Sequence, residues 1–204
     1  MHHPHLNIYI VDDDEDVRRS LVMLLHAQGH ALQAFESGEA FLGRVDVARQ
    51  TGCVVLDLRM DGISGIEVFD QLLARCSPLV VLFLSGHGDI PLALEQVKKG
   101  ACDWITKPST PQMLAKLGPA LEQATQRGRD HRLWELLTVR EKEVAPLLAQ
   151  GLSSKEIARQ LVPECGFRVV EGYRAKIFEK LLLANAAELH GWMARNRWLL
   201  HGAA

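Results

Sequence analysis

The segment Asn7-Ile-Tyr-Ile-Val-Asp-Asp-Asp14 is a short apolar run that leads directly into three carboxylates. Further apolar runs, rich in branched or aromatic residues, follow at 31–35, 53–57, 79–84 and 104–106. Amphipathic helical patterns separate these runs; Val17, Leu21 and Leu25, for example, recur at every fourth position. The alternation predicts an α/β fold, a doubly wound five-stranded parallel sheet that binds ligands beyond the carboxyl ends of its strands.

The composition is that of a folded globular chain: 204 residues, of which 48% are hydrophobic and 24% are charged. It excludes collagen-like and wholly disordered proteins. Apolar runs such as 78–85 are much shorter than the ~20 residues of a membrane-spanning helix. The first residues have neither the basic stretch nor the apolar segment of a secretion signal. We therefore expect a cytoplasmic protein without membrane association.

The two parts of the chain carry opposite net charge. Residues 1–125 contain 10 basic and 16 acidic residues, whereas residues 126–204 contain 13 and 9. A basic part of this kind indicates a polyanionic partner. The stretch that joins the parts is polar and contains a glycine, which is typical of a linker. We predict a first domain over 1–124, a linker over 125–136 and a second domain over 137–204.

Polar groups suited to phosphoryl chemistry follow four of the five predicted strands: Asp12 and Asp13, Asp57, Ser85, and Lys107. Carboxylates that meet at one sheet edge repel each other unless a cation lies among them, and Mg2+ prefers such oxygen ligands. A carboxylate beside Mg2+ can attack a phosphoryl group, while a hydroxyl and an ammonium stabilise the transferred oxygens. Helix capping is the alternative, and it is the better account of Asp14 and Glu15.

Four motifs that occur in order along the first part resemble the receiver domain of two-component response regulators, specifically the FixJ/NarL type. They are Ile10-Val-Asp-Asp-Asp-Glu-Asp-Val-Arg18, Val55-Leu-Asp-Leu-Arg-Met60, Leu84-Ser-Gly-His-Gly-Asp-Ile-Pro91 and Lys99-Gly-Ala-Cys-Asp-Trp-Ile-Thr-Lys-Pro108. Together they span most of residues 7–125. The resemblance implies a flavodoxin-like or CheY-like sheet and a cognate sensor histidine kinase as partner.

The resemblance also implies residue roles. Asp57 receives the phosphoryl group, and Mg2+ is held by Asp13, Asp57 and the backbone carbonyl of Arg59, with Asp12 assisting through water. Ser85, Trp104 and Lys107 form the switch. Two residues depart from the usual receiver pattern, and two others have a hypothesised role. Asp61 stands where receivers commonly have Pro, which predicts a more mobile and more negative loop; Ser85 replaces the more usual Thr; and Arg59 and His87 are hypothesised to tune the lifetime of the phosphoryl group.

The second part consists of short helices with well-marked starts. Three segments follow in order: Leu137-Thr-Val-Arg-Glu-Lys-Glu-Val144, Ala149-Gln-Gly-Leu-Ser-Ser-Lys-Glu-Ile-Ala-Arg-Gln-Leu161 and Arg174-Ala-Lys-Ile-Phe-Glu-Lys-Leu181. They resemble the four-helix LuxR-type helix-turn-helix domain over about residues 137–194, the usual output domain of FixJ/NarL regulators. Capping boxes begin at Thr138 and Ser153, and Asn185 caps a further helix. The resemblance implies a recognition helix near 168–182 in the major groove. The candidate DNA contacts are Lys155, Arg168, Glu171, Tyr173, Arg174 and Lys176, whereas Val170, Ile177 and Leu181 are assigned to the core.

Three features depart from the usual helix-turn-helix pattern. Residues 162–169 predict a long turn, Gly172 falls inside the recognition helix, and Pro146 falls inside the first helix of the domain. Glycine costs a helix interior ~1 kcal/mol relative to alanine, and proline costs ~3 kcal/mol where it removes a hydrogen bond.

The sequence therefore predicts a regulator rather than an enzyme. Phosphorylation of Asp57 is expected to favour a homodimer through the face formed by residues 89–124 and to promote binding to promoter DNA. One alternative is a receiver whose diverged second domain signals through protein contacts instead of DNA. Another is a Mg2+-dependent phosphohydrolase with Asp57 as nucleophile, although no cap or substrate domain is visible in the sequence.

Overall fold

The computed structural model describes residues 6–86, 89–107 and 110–203. The chain divides into two compact units, Met1–Gly128 with Trp198–Ala204, and Arg129–Arg197. Among the described residues, no helix has both the length and the apolar character that crossing a lipid bilayer requires.

The first unit is a five-stranded parallel sheet with strand order β2-β1-β3-β4-β5. Its strands are β1 (Asn7–Val11), β2 (Leu32–Phe35), β3 (Gly52–Asp57), β4 (Val80–Ser85) and β5 (Asp103–Thr106), each within one residue of the predicted run. Its helices are α1 (Glu15–Ala27), α2 (Gly38–Arg44), α3 (Gly65–Ala74), α4 (Ile90–Lys99) and α5 (Thr110–Glu135). The predicted doubly wound α/β fold is confirmed.

Helices cover both faces of this sheet, because successive side chains of a strand point to opposite sides. Val54 and Leu56 of β3 belong to one buried cluster, which also contains Phe69 of α3. Cys53 and Val55 belong to the other, which α1 and α5 complete. Since both faces are apolar and buried, the polar residues of the strands collect at the strand ends.

The second unit is all-helical and contains α6 (Val139–Ala149), α7 (Ser154–Gln160), α8 (Phe167–Leu181) and α9 (Ala186–Arg195). The predicted capping boxes at Thr138 and Ser153 are present, so the starts of α6 and α7 are confirmed. Val170, Ile177 and Leu181 are buried, as predicted for the inner face of α8.

Two predicted departures from the helix-turn-helix pattern, the long turn and Pro146, disturb the helices of the second unit less than the sequence indicates. Because α8 already begins at Phe167, the connection from α7 covers only residues 161–166, which is shorter than the predicted turn of 162–169. Helix α6 continues through Pro146, and its neighbours Ala145 and Leu148 are buried. Burial of an apolar face compensates for the hydrogen bond that proline cannot make.

The stretch predicted as a linker, 125–136, lies almost entirely within α5, which ends at Glu135. Several of its side chains make specific contacts. The guanidinium of Arg127 donates to the carbonyls of Leu79 and Gly100 in the first unit, both at 3.1 Å. In the second unit, the ring of Trp134 stacks on that of Trp192 with centroids 5.9 Å apart. The last residues, Trp198–Ala204, belong to the first unit.

Candidate functional site

Three aspartates lie together at the carboxyl edge of the sheet. Asp12 directly follows β1, and Asp57 is the last residue of β3, the neighbouring strand. Asp12, Asp13 and Asp57 each offer a carboxylate oxygen within 4.8 Å of the others. Asp12 and Asp57 are buried, whereas Asp13 is exposed. The predicted acidic cluster is therefore assembled by two adjacent strands.

Lys107, which directly follows β5, is the counter-ion of this cluster. Its Nζ lies 2.7 Å from Asp12 Oδ2 and 2.9 Å from Asp57 Oδ2. Burial raises the pKa of Asp57, and Lys107 opposes this increase through a hydrogen bond and its charge. Burial alone would lower the pKa of Lys107, but its contacts with the two carboxylates outweigh this and raise it. The ammonium is thus held protonated between Asp12 and Asp57.

Backbone groups orient the two carboxylates that follow β1. Asp14 N–H donates to Asp12 Oδ1 at 3.0 Å, and Asp61 N–H donates to Asp13 Oδ2 at 2.9 Å. Asp14 itself caps α1, which confirms its interpretation as a cap. Asp12 Oδ2 is buried, and the Lys107 ammonium lies 2.7 Å from it. Three carboxylates that share one nearby ammonium suit a hard divalent cation.

Two further predicted residues lie on the neighbouring strands. Ser85, at the end of β4, is fully buried, and its Oγ donates to the Ile105 carbonyl at 3.4 Å. Its own carbonyl accepts from the N–H of Lys107 at 2.9 Å, which ties it to the acidic cluster. Trp104 of β5 is half-buried, and the Lys116 ammonium lies 4.6 Å from its ring centroid. The 3.4 Å hydrogen bond of the Ser85 hydroxyl is long, so it restrains this group weakly.

The loop after β3 contains contacts that the sequence analysis missed. Arg59 Nε donates to Asp89 Oδ1 at 2.7 Å, which joins this loop to the start of α4. A Cβ atom on Gly65 would lie 1.9 Å from the Asp57 carbonyl oxygen, so only glycine fits where α3 meets Asp57. The sequence signal for Asp89 is its position directly before Ile90-Pro91, where a helix begins. His87 and Pro108 lie outside the described residues.

Most of the predicted DNA contacts lie on the outer surface of the second unit. Lys155 is exposed in the first turn of α7, and Arg168, Arg174 and Lys176 are exposed along α8. The other two are partly engaged by the protein. Tyr173 is half-buried, and Glu171 accepts a hydrogen bond from the Ser154 hydroxyl of α7. Four of the five exposed candidates are therefore basic, and the fifth is Glu171.

A buried carboxylate fixes α8 on α6. Glu141 Oε2 accepts from the Lys180 ammonium at 2.6 Å and from the Thr138 N–H at 2.8 Å. Burial would raise the pKa of Glu141, but these hydrogen bonds hold it below its ordinary value. The same side chain therefore completes the cap of α6 and anchors the carboxyl-terminal end of α8.

The comparisons with known proteins match both units. A family model described as "Response regulator receiver domain" matches residues 8–117, and one described as "Bacterial regulatory proteins, luxR family" matches residues 135–193. The chain is 38% identical over 192 residues to the transcriptional regulatory protein FixJ of Azorhizobium caulinodans, with 90% of each chain covered. It is 37% identical over 186 residues to the tetrathionate response regulatory protein TtrR of Salmonella typhimurium, with 89% of each covered.

A solved structure shows the same arrangement of elements. Full-length FixJ from B. japonicum is 34% identical, covers 94% of this chain and 97% of its own, and has a TM-score of 0.55. The resemblance predicted from the sequence motifs is confirmed over both parts of the chain. The chain belongs to the two-component response regulators of the FixJ type, which join a receiver domain to a LuxR-type DNA-binding domain and regulate transcription.

Proposed function

We propose that a sensor histidine kinase phosphorylates Asp57 and that phosphorylation promotes dimerisation and promoter binding. The observation that supports this best is the position of Lys107 Nζ, 2.9 Å from Asp57 Oδ2 and 2.7 Å from Asp12 Oδ2, at the carboxyl edge of the sheet. This arrangement keeps an ammonium beside a carboxylate that is buried but reachable. Ligands of open parallel sheets bind at that edge.

The acidic cluster fits a divalent cation, and Mg2+ suits its oxygen donors best. Asp13, Asp57 and the Arg59 carbonyl would hold the ion, with Asp12 acting through water. When bound, Mg2+ neutralises carboxylate charge and the charge of the phosphoryl oxygens. The exposed carboxylate of Asp13, which lies within 4.8 Å of those of Asp12 and Asp57, supports this assignment.

The chain's own residues carry out the transfer. An oxygen of Asp57 attacks phosphorus while the phosphorus–nitrogen bond to the kinase histidine breaks and the imidazole leaves with the bonding electrons. The Lys107 ammonium then pairs with a phosphoryl oxygen, because it is already within hydrogen-bond distance of Asp57. The Ser85 hydroxyl donates to another, giving up its long bond to the Ile105 carbonyl. Trp104 responds to the movement of the Ser85 loop.

We propose that dimerisation uses the face formed by α4, β5 and α5, within residues 89–124. Large apolar side chains are exposed on its helices, and burying apolar surface drives association. They are Ile90, Leu92 and Leu94 of α4 and Leu114 of α5. Two DNA-binding domains held together in this way multiply a weak affinity for single half-sites.

The functional division that we propose is a receiver over 1–124, a linking segment over 125–136 and a DNA-binding domain over 137–204. The exposed basic residues of α7 and α8 support DNA as the partner of the last part, because phosphate contacts require positive charge. Since promoter DNA is the target, we place the protein in the cytoplasm.

The test is selection of DNA fragments from the source genome by the full chain, with Mg2+ and a small phosphodonor, across a salt series. We expect enrichment of discrete fragments by the wild-type protein and none by Asp57→Asn. Asp46→Asn is the matched control, because Asp46 is exposed and pairs only with Arg49 at 3.8 Å among the described residues. It should bind like the wild type.

The outcomes separate the alternatives. Equal enrichment by Asp57→Asn would overturn phosphorylation as the trigger. No enrichment by wild-type protein that is demonstrably phosphorylated would instead favour an output domain that binds a protein. Steady release of phosphate from unrelated phosphate esters would support an enzyme.

A further inference from the structure

The first turn of α8 exposes two apolar side chains, Phe167 and Val169, that are not among the buried residues of this helix. Phe167 and Val169 are 46% and 47% exposed, whereas Val170, which directly follows Val169, is fully buried. Val170, Ile177 and Leu181 already supply the inner face of the helix. Nearly half of the surface of Phe167 and of Val169 is therefore in contact with water in the free protein.

The outer face of α8 has small side chains in its middle. With 3.6 residues per turn, Arg168, Gly172 and Ala175 lie opposite the buried Val170 and Ile177. A Cβ atom on Gly172 would meet none of the described residues within 4 Å, so their packing does not require glycine there. An outer face with small residues in its middle allows another molecule to approach the helix backbone closely. Longer side chains flank these small residues on the same face, with Arg168 in the first turn and Glu179 near the end of the helix.

The charges around this turn identify the partner. Arg168 lies between the two apolar residues, Lys155 is exposed in the first turn of α7, and Lys176 is exposed more than two turns further along α8. Protein interfaces are depleted of lysine at their centres, whereas DNA interfaces are rich in positive charge. Recognition helices contact base edges through their amino-terminal residues. In the major groove, the apolar group that a base presents is the 5-methyl of thymine.

We propose that Phe167 and Val169 are specificity-determining residues that contact thymine 5-methyl groups in the major groove. This inference rests on the proposed DNA-binding function and deepens it. The lysines and Arg168 hold the helix against the phosphates or guanine edges, while the small face at Gly172 and Ala175 lets the first turn reach the bases. The preferred DNA site therefore contains thymines opposite the amino-terminal end of α8 in each half-site.

The test uses the full chain, phosphorylated with Mg2+ and a small phosphodonor, and the DNA site that it selects from random sequence. Each thymine is replaced singly by deoxyuridine, which keeps the base pair and removes only the methyl group. We expect the wild type to lose about fourfold in affinity at particular thymines, the effect of one buried methyl-sized group. Val169→Ala and Phe167→Ala should bind more weakly and should no longer distinguish thymine from deoxyuridine there.

The matched control is Val139→Ala, because Val139 of α6 is also an exposed valine, at 75%, but lies outside α8. It should retain the wild-type preference for thymine. Equal sensitivity to deoxyuridine in wild type, Val169→Ala and Phe167→Ala would overturn the inference, as would insensitivity of the wild type. If these variants weaken the phosphorylated dimer without DNA, as measured by sedimentation, the residues form a protein interface and the inference is wrong. Failure of the wild type to bind any DNA would overturn the proposed function itself.

Discussion

The backbone N–H of Asp61 donates to Asp13 Oδ2 at 2.9 Å, across 48 residues of sequence. Receivers commonly have proline at this position, and proline has no N–H to donate. The departure predicted to make the loop more mobile thus also gives the loop a bond to a proposed Mg2+ ligand. A donor that orients one carboxylate before the ion arrives reduces the cost of assembling the site.

Asp61→Pro should weaken Mg2+ binding relative to Asp61→Ala. Both variants remove the side-chain charge, but only proline removes the hydrogen bond to Asp13. A net loss of ~1 kcal/mol for one hydrogen bond corresponds to about fivefold in the dissociation constant. Calorimetric titration of each protein with MgCl2 measures the difference. Equal affinities would mean that Asp13 is oriented without this bond.

Ser85→Ala should separate phosphorylation from dimerisation. Among the described residues the Ser85 hydroxyl makes one long hydrogen bond, to the Ile105 carbonyl at 3.4 Å, so we expect its loss to leave the fold intact. Asp57 and Lys107 remain, and a small phosphodonor should still phosphorylate the variant. A hydrogen bond to a charged group contributes ~1.5–3 kcal/mol, so phosphorylated Ser85→Ala should dimerise at least about tenfold more weakly.

Sedimentation velocity over a concentration series measures that dimerisation. Ser85→Thr is the control, because it keeps the hydroxyl and adds only a methyl group, and it should dimerise like the wild type. Dimerisation of Ser85→Ala at the wild-type concentration would show that the hydroxyl is not part of the switch.

The positions of Asp12, Asp57 and Lys107 were predictable because parallel strands bring their carboxyl ends to one edge of the sheet. Apolar runs of the right length identified each strand, and the polar residues at the ends of four of these runs identified the site. The strand order then decides which of these residues meet. In the structure, β1 and β3 are neighbours, so Asp12 and Asp57 come together.

Contacts that depend on backbone groups or on distant residues were not predictable in this way. The hydrogen bond from Asp61 N–H has no signal in residue type, and Arg59 bonds Asp89 across 30 residues. The sequence permits either a partly helical or a coiled linker over 115–136, because its composition is polar, while its helical structure depends on a few buried contacts such as the stacking of Trp134. Tertiary packing outweighs local composition there.

Acid should loosen the recognition helix through Glu141. Its pKa is lower in the folded chain than in the unfolded chain, so the folded state binds fewer protons. Its contribution to stability is therefore complete above the ordinary pKa of glutamate and is lost as the pH falls through the lowered folded value. Glu141→Gln keeps the acceptor and removes the charge on the Lys180 contact, which at neutral pH should cost ~2 kcal/mol.

Hydrogen exchange of α8 amides, compared between the two proteins at the same pH, measures this cost. We expect about 30-fold faster exchange in Glu141→Gln at pH 7, and a ratio that approaches one as the carboxyl of the wild type becomes protonated. Glu143→Gln is the control, because Glu143 is exposed and pairs with Arg140 at 2.7 Å on the same helix. Exposed pairs contribute little to stability. A ratio that does not change with pH would contradict the role of the Glu141 charge.

Lys155→Ala should weaken DNA binding by the same factor for specific and non-specific sequences. Lys155 is exposed in the first turn of α7, and we expect it to contact a phosphate rather than a base. Each phosphate contact contributes about 0.9 to the slope of log affinity against log salt concentration, so the slope should become shallower by about that amount per bound protomer. Arg195→Ala, an exposed cation on α9, should leave the slope unchanged. Fluorescence anisotropy over a salt series measures both slopes. A change confined to one DNA sequence would instead make Lys155 a base-reading residue, because only base contacts distinguish sequences at constant charge.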